Sequence, residues 1–334
     1  TVLNGLSTAQ VGALSTSQVA ALTTSQVKDM ATKTIGALSS TQLNALGTSQ
    51  VAALSKQLVS ALTTGQVAGL ATVSLQALST GNISGLSNDQ VKALSTTQVN
   101  ALTTAQVNQL STTQIQAIGT SQISGLTAVS ALDTAHLFAL LTAQIAALDG
   151  GQVRSLSTDQ IVALTTAQTS ALTTDQVASL TTAQISKMET ADLAMLGTSQ
   201  IQALSANAVG ALTADQFKTL ATNQINALSD VQVKALKTAQ LVALSTDQAA
   251  ALSSATVSLL SAAQIAAIET ADFEKLSTRV IANLSATQFK ALTTDQVIAL
   301  TTAQAASLTF EQVSTLTTAQ ISKMETADLA KLDT

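Results

Sequence analysis

The sequence predicts an all-α solenoid of very short helices, one for every eight residues. Three observations lead there. The same octad recurs over the whole chain, each octad opens with residues that start a helix, and the large apolar residues fall at two fixed positions three apart. With the recurrent Leu set as position 8, the unit reads [Ser/Thr]-Thr-x-Gln-[Val/Ile]-x-Ala-Leu. It runs unbroken for 15 octads from Ser7 to Leu126, shortens to six residues over Thr127–Leu132 (TAVSAL), and continues for 25 octads from Asp133 to Leu332. Leu closes 35 of these 40 octads and Gln holds position 4 in 29, a constancy that implies a repeat architecture rather than separate globular domains.

The helix start comes first in the unit. Ser or Thr at position 1 with Gln at position 4 is a capping box: the hydroxyl accepts from the position-4 amide, and the Gln side chain reaches back to the position-1 amide. Asp133, Asp149, Gly47, Gly119 and Gly197 at position 1 are also acceptable N-caps. The preceding Leu and the Val/Ile at position 5 form a hydrophobic staple. Positions 2 to 7 are then a helix of under two turns, and the closing Leu enters the next cap. The period is eight because the helix is stopped and restarted at an angle every eight residues.

So short a helix has no stability alone in water and must bury positions 5 and 8 against its neighbours. Stacked turns would gather these side chains into one narrow core, with the small residue at position 7 permitting close approach. Positions 3 and 6 vary most and carry charges such as Asp89, Asp159, Lys92 and Arg154, so they should face solvent. With three or four helices to a turn, the chain would be a rod about 100–140 Å long. One continuous helix is disfavoured because an octad drifts around its surface. A β-solenoid is the main alternative, since Thr, Val and Ile favour strands. Against it stand the three-residue spacing of the apolar positions, the abundant Ala, and Asn-Gly and Asp-Gly turn pairs limited to Asn4-Gly5 and Asp149-Gly150.

No linker, charge run or shift of composition divides the chain, so residues 1–334 read as a single continuous solenoid. A coarser repeat overlies it: TTAQISKMETADLAML at 181–196 returns as TTAQISKMETADLAKL at 317–332. The ends are complementary in register. Asp333 and Thr334 followed by Thr1, Val2, Leu3, Asn4, Gly5 and Leu6 would complete one octad. This suggests a self-assembly interface of Thr1, Val2, Leu3, Leu6, Leu332, Asp333 and Thr334, through which copies continue the solenoid head to tail.

Composition excludes more than it names. Only 1% of the chain is aromatic and 10% charged, with no Cys, no Pro and one His, which does not suit a catalytic pocket. A net charge of −5 without basic clusters argues against nucleic acid. Absent Cys excludes disulfides and thiolate sites. No apolar run approaches the about 18 residues of a membrane span. The chain starts at Thr1 rather than Met, as expected if an exported precursor or a longer parent had lost a leader. His136, in DTAHLFAL, reads as a substitute for Gln at position 4, since it lacks partners for a zinc site. The pairs Glu189/Asp192, Glu269/Asp272 and Glu325/Asp328 read as acids favoured at helix N-termini, with a weak Ca²⁺ site as the alternative; no other metal and no cofactor is implied. Asn82-Ile83-Ser84 and Asn283-Leu284-Ser285 match the glycosylation sequon, as a Ser/Thr/Asn-rich chain does by chance.

The tandem LTTAQV (102–107) and ALSTSQV (13–19) segments resemble the Leu/Thr/Gln-rich repeat regions of very large secreted bacterial surface proteins of the adhesin, haemolysin-like and surface-layer kinds. That resemblance implies an extracellular or cell-surface place and a structural or adhesive role, and it carries over no site residue. The sequence departs from the Asp/Gly-rich calcium nonapeptides that accompany such proteins. The leading expectation is therefore a non-enzymatic structural protein that polymerises with itself. The alternatives are an adhesin stalk or scaffold meeting cell-surface or matrix components, and an ice- or crystal-binding array of position-2 Thr.

Overall fold

The structure, a computed structural model, describes residues 2–126 and 129–332. Among them are forty α-helices of four to six residues, two short 3-10 segments and no strand, so the chain is an all-α solenoid of one helix per octad. It divides into two compact units, Thr1–Leu164 and Thr165–Thr334. Within each unit a helix packs on the third helix along: Thr8–Gly12 on Thr32–Ala37 and Thr16–Ala20 on Ser40–Asn44 in the first, Thr174–Ser179 on Thr198–Ala203 and Ala206–Gly210 on Asp230–Lys234 in the second. Three octads, 24 residues, therefore make one turn, the lower of the two numbers expected.

The corners follow from local chemistry. In the helix Thr96–Ala101, the N-cap Ser95 is extended at φ −73°, ψ 161°, and the C-cap Leu102 is extended at φ −61°, ψ 135°. Two extended residues per octad thus turn the chain. Among the described residues no φ is positive and no peptide bond is cis, so the corner needs neither Gly nor Pro, which explains why neither recurs in the repeat.

Burial follows the octad. Position 5 (Val99, Ile115, Val233) and position 8 (Leu102, Ile118, Leu236) form the core, while Lys92, Arg154 and Lys234 at position 6 are exposed. Phe217, Phe273 and Phe289 sit fully buried at position 5, whereas Phe138 and Phe310 are exposed. Close approach at position 7 is real: a Cβ on Gly69 would lie 2.4 Å from Ser40 Oγ in the turn before.

The six-residue unit is absorbed on one side of a turn. Thr127 and Ala128 lie outside the described residues, but Val129–Ala131 forms a 3-10 turn that packs on the helix Gly150–Ser155 and buries Val129. Among the described residues, no helix is long and apolar enough to cross a membrane.

Candidate functional site

The side chain that does most in this fold is the position-4 Gln, and it works at both ends of the carboxamide. Gln98 Oε1 accepts from the Ser95 amide at 2.8 Å while Ser95 Oγ accepts from the Gln98 amide at 3.2 Å. That is the capping box. The Nε2 of the same side chain donates to the carbonyls of Val67 at 2.9 Å and Leu70 at 2.8 Å, 31 and 28 residues earlier. Those carbonyls belong to the C-terminal end of a helix one turn away, which has no left-handed cap of its own and would leave its last acceptors orphaned. One Gln thus caps its own helix and another helix's end. The brace recurs at the same offsets at Gln66 to Ile35 and Leu38, Gln216 to Ile185 and Met188, and Gln312 to Ile281 and Leu284. Asn82, in the first sequon, makes it too: its Nδ2 donates to the Leu54 carbonyl. In the second sequon, Asn283 Nδ2 donates to the Arg279 carbonyl at 2.7 Å.

His136 takes over the cross-turn brace, while the Asp133 amide goes to Asn108 Oδ1 at 3.4 Å. The His136 Nδ1 lies 2.7 Å from Asp133 Oδ1, and its Nε2 lies 2.8 Å from the Leu110 carbonyl, 26 residues earlier because the short unit intervenes. A carbonyl only accepts, so Nε2 carries a hydrogen. Burial works against ionisation of Asp133, but the amide and ring of His136 outweigh it and hold the carboxyl below its ordinary value. His136 thus stands in for Gln in the cross-turn brace but does not accept from the position-1 amide.

The three acid pairs separate. Glu189, Glu269 and Glu325 are exposed N-caps without a side-chain cap bond. Asp192, Asp272 and Asp328, at the Gln position, are 2%, 4% and 3% exposed. Asp192 Oδ2 and Asp328 Oδ1 have no hydrogen-bond partner. Burial, reinforced by Glu189, pushes Asp192 up to about 6. Burial also raises Asp272, with Glu269 adding and Lys218 opposing. Among the described residues, no group of three or more His, Cys, Asp or Glu side chains is placed to hold a metal.

Of the expected assembly residues, Val2 is 90% exposed, and Leu3, Leu6 and Leu332 are half-buried. Thr1, Asp333 and Thr334 lie outside the described residues. Leu3, Leu6, Leu14 and Leu22 line an apolar hollow of about 520 Å³ rimmed by Gln18 and Gln26. At this edge Gln10, Gln18 and Gln26 accept from their own N-cap amides at 2.8 Å each, and among the described residues their Nε2 groups brace nothing.

Sequence reasoning missed the position-6 Asn residues. Asn4 Oδ1 accepts from the Ala31 amide at 2.7 Å, and its Nδ2 donates to the Asp29 carbonyl at 2.9 Å. Asn44 repeats this on Ala71 and Gly69, and Asn108 on Asp133 and Ala131. Asn226 Nδ2 donates to Ala251, beside Ser253. The octads so served carry Thr34, Ser74, His136 and Thr256 at position 4. In these four octads an Asn in the neighbouring turn ties down the corner instead. The signal was a lag of 25–27 residues between an Asn at position 6 and the corner of an octad without Gln.

A repeat family described as the ALTTAQ repeat matches seven segments: 1–32, 24–56, 67–104, 146–182, 185–222, 217–254 and 265–302. The chain belongs to the ALTTAQ repeat family. No curated protein matches it. The matched segments of the ALTTAQ array leave out 105–145, which holds the six-residue unit and the His136 octad. They leave out the last acid pair's block, 317–332, as well.

Proposed function

We propose that this ALTTAQ chain is a structural module whose two turn edges are complementary to one another, so that it extends by edge-to-edge association into a filament, fibre or sheath. The observation that carries the reading is the edge at residues 2–30. It presents three Gln carboxamides, Gln10, Gln18 and Gln26, beside an apolar hollow. Inside each unit the same groups meet the position-5 and position-8 carbonyls of another turn, as Gln98 meets Val67 and Leu70. Such an edge accepts a further turn of octads from the same polypeptide or from a second copy. Covering the exposed Leu and Val side chains supplies a drive of about 25 cal/mol per Å². A repeated contact of this heterologous kind need not close on itself. The role is structural rather than catalytic, and its place is extracellular, the latter resting on the resemblance of the LTTAQV segments to secreted surface-protein repeats.

Sedimentation and negative-stain microscopy of the 334-residue chain over a concentration series test this. Concentration-dependent lengthening is expected, with Leu6→Asp or the triple change Gln10→Ala, Gln18→Ala, Gln26→Ala suppressing it while helicity is kept. A single short particle at every concentration would defeat the reading.

A further inference from the structure

Three octads of the second unit place an acid where the fold calls for a donor. The register fixes what Asp272 and Asp328 stand over. Around them Gln264, Gln288, Gln296, Gln304 and Gln320 each donate to the closing carbonyl 28 residues earlier, at Leu236, Leu260, Ile268, Leu276 and Leu292. The same step takes Asp272 to Leu244 and Asp328 to Leu300. Among the described residues, neither carbonyl receives a side-chain hydrogen bond. Asp328 Oδ1 is correspondingly buried and unpartnered, as is Asp192 Oδ2 in the third octad of the set. An ionised carboxylate only accepts, so it cannot satisfy a carbonyl and adds a negative charge at the negative end of a helix dipole. Reach is not the obstacle. Asn82, a side chain of the same length at the same octad position, does donate to the Leu54 carbonyl.

We propose that Asp272 and Asp328 are proton-operated latches: protonated, each carboxyl donates its hydroxyl across the turn as the Asn82 amide does, and ionised, the contact opens. One added proton satisfies a buried carboxyl oxygen and an orphaned carbonyl together. No bond other than O–H forms or breaks.

The charged surroundings agree. Asp192 is faced by Glu189, and its helix packs on Thr166–Ser170, which carries no charge, and on Ala214–Lys218, which brings Asp215 and Lys218. Asp272 is faced by Glu269 and by Lys218, and the two helices packed on its own carry Asp247 and Asp295 at position 3. Asp328 has Glu325 and Lys331 on its own octad, and the helix packed on it, Thr302–Ala305, has no charge. The raised values of Asp192 and Asp272 follow from this burial among acids. Both latches and the carbonyls they stand over lie in the second unit, so acid should tighten that unit and leave octads 39–118, which hold no buried acid, as the internal reference.

The experiment is amide hydrogen exchange of the full chain at about pH 5 and about pH 7.5, as protection factors. The expected result is a several-fold gain in protection at the lower pH for octads 237–276 and 293–332 relative to octads 39–118. The double variant Asp272→Asn, Asp328→Asn should show high protection at both pH values. Carbon-13 titration of the Asp272 carboxyl in the unmodified chain gives a second readout and should place it above ordinary Asp. Equal relative protection at both pH values overturns the proposal, as does a gain that survives in the Asn variant. Recovery of protection at the higher pH on adding CaCl₂ alone also overturns it, in favour of a bound cation.

Discussion

Asn44 and Ala71 lie 27 residues apart in the chain and 2.7 Å apart in space, the Asn44 Oδ1 accepting from the Ala71 amide. That amide is a position-1 N–H. In most octads it is served by the Gln three residues on, but this octad carries Ser74 there, whose hydroxyl turns instead to Asn44 Oδ1 at 3.3 Å. The solenoid therefore fills one structural need from either of two sources, one local and one a turn away.

This substitution makes a measurable cycle. Asn44→Ala should cost about 1–2 kcal/mol, since it strands a corner amide and the Gly69 carbonyl that Nδ2 serves at 2.8 Å. In a Ser74→Gln background most of that cost should vanish, because the introduced carboxamide restores the local half of the capping box. Urea unfolding of the four proteins in the double-mutant cycle reads it. Additive effects would mean that the two devices are independent.

A second prediction separates the two ends of the Gln carboxamide. Gln98→Ala removes the cap and both cross-turn bonds in a buried setting and should cost about 2–4 kcal/mol. Gln18 makes only its own cap bond and is exposed, so Gln18→Ala should cost about 0.5–1 kcal/mol in the monomer. Thermal or urea unfolding at a concentration below association compares them. Equal costs would show that the cross-turn bonds contribute nothing net.

Much of this was legible in the octad. Val233 and Leu236 are buried and Lys234 between them is exposed, as the apolar spacing requires, because each choice is made within one helix. The Ser95–Gln98 box was legible for the same reason: donor and acceptor are three residues apart. The Nε2 bond from Gln98 to Leu70 was not, since no local spacing encodes a 28-residue step. That step depends on three helices closing a turn, and packing at the corners decides the number. The burial of Asp272 escaped because an acid near a helix start is ordinarily a solvated dipole partner, whereas here the Gln position points into the corner. The Asn4 and Asn44 ties become visible in the sequence only once the length of the turn is known.

Thr169 offers a gain of stability. It occupies position 5, where Val or Ile is usual, is 1% exposed, and its Oγ1 has no hydrogen-bond partner. Thr169→Val replaces the stranded hydroxyl with a methyl of the same shape and should stabilise the second unit by about 1–2 kcal/mol. Differential scanning calorimetry should show a higher Tm. An unchanged or lower Tm would mean that the hydroxyl is satisfied in solution.

The last prediction concerns pH, where the two units should respond with opposite sign. Asp133, in the first unit, is held below its ordinary 3.8 by the His136 amide and ring, which outweigh its burial. A carboxyl lowered on folding contributes stability above its unfolded value and loses it as pH falls through the folded value. The His136 octad should therefore loosen only in strong acid, below about pH 3.8. Asp192, in the second unit, is raised from 3.8 to about 6 by burial and by Glu189. A carboxyl raised on folding binds protons more tightly in the native state, so its contribution is full below the unfolded value and is lost as pH climbs through the folded one. The octad at 189–196 should accordingly weaken between about pH 4 and 6, a range in which the Asp133–His136 pair is intact. Residue-resolved NMR across about pH 3 to 8 distinguishes the two, and Asp192→Asn should flatten the second profile without touching the first. A common midpoint for both octads would show that global unfolding, rather than these two carboxyls, sets the pH response.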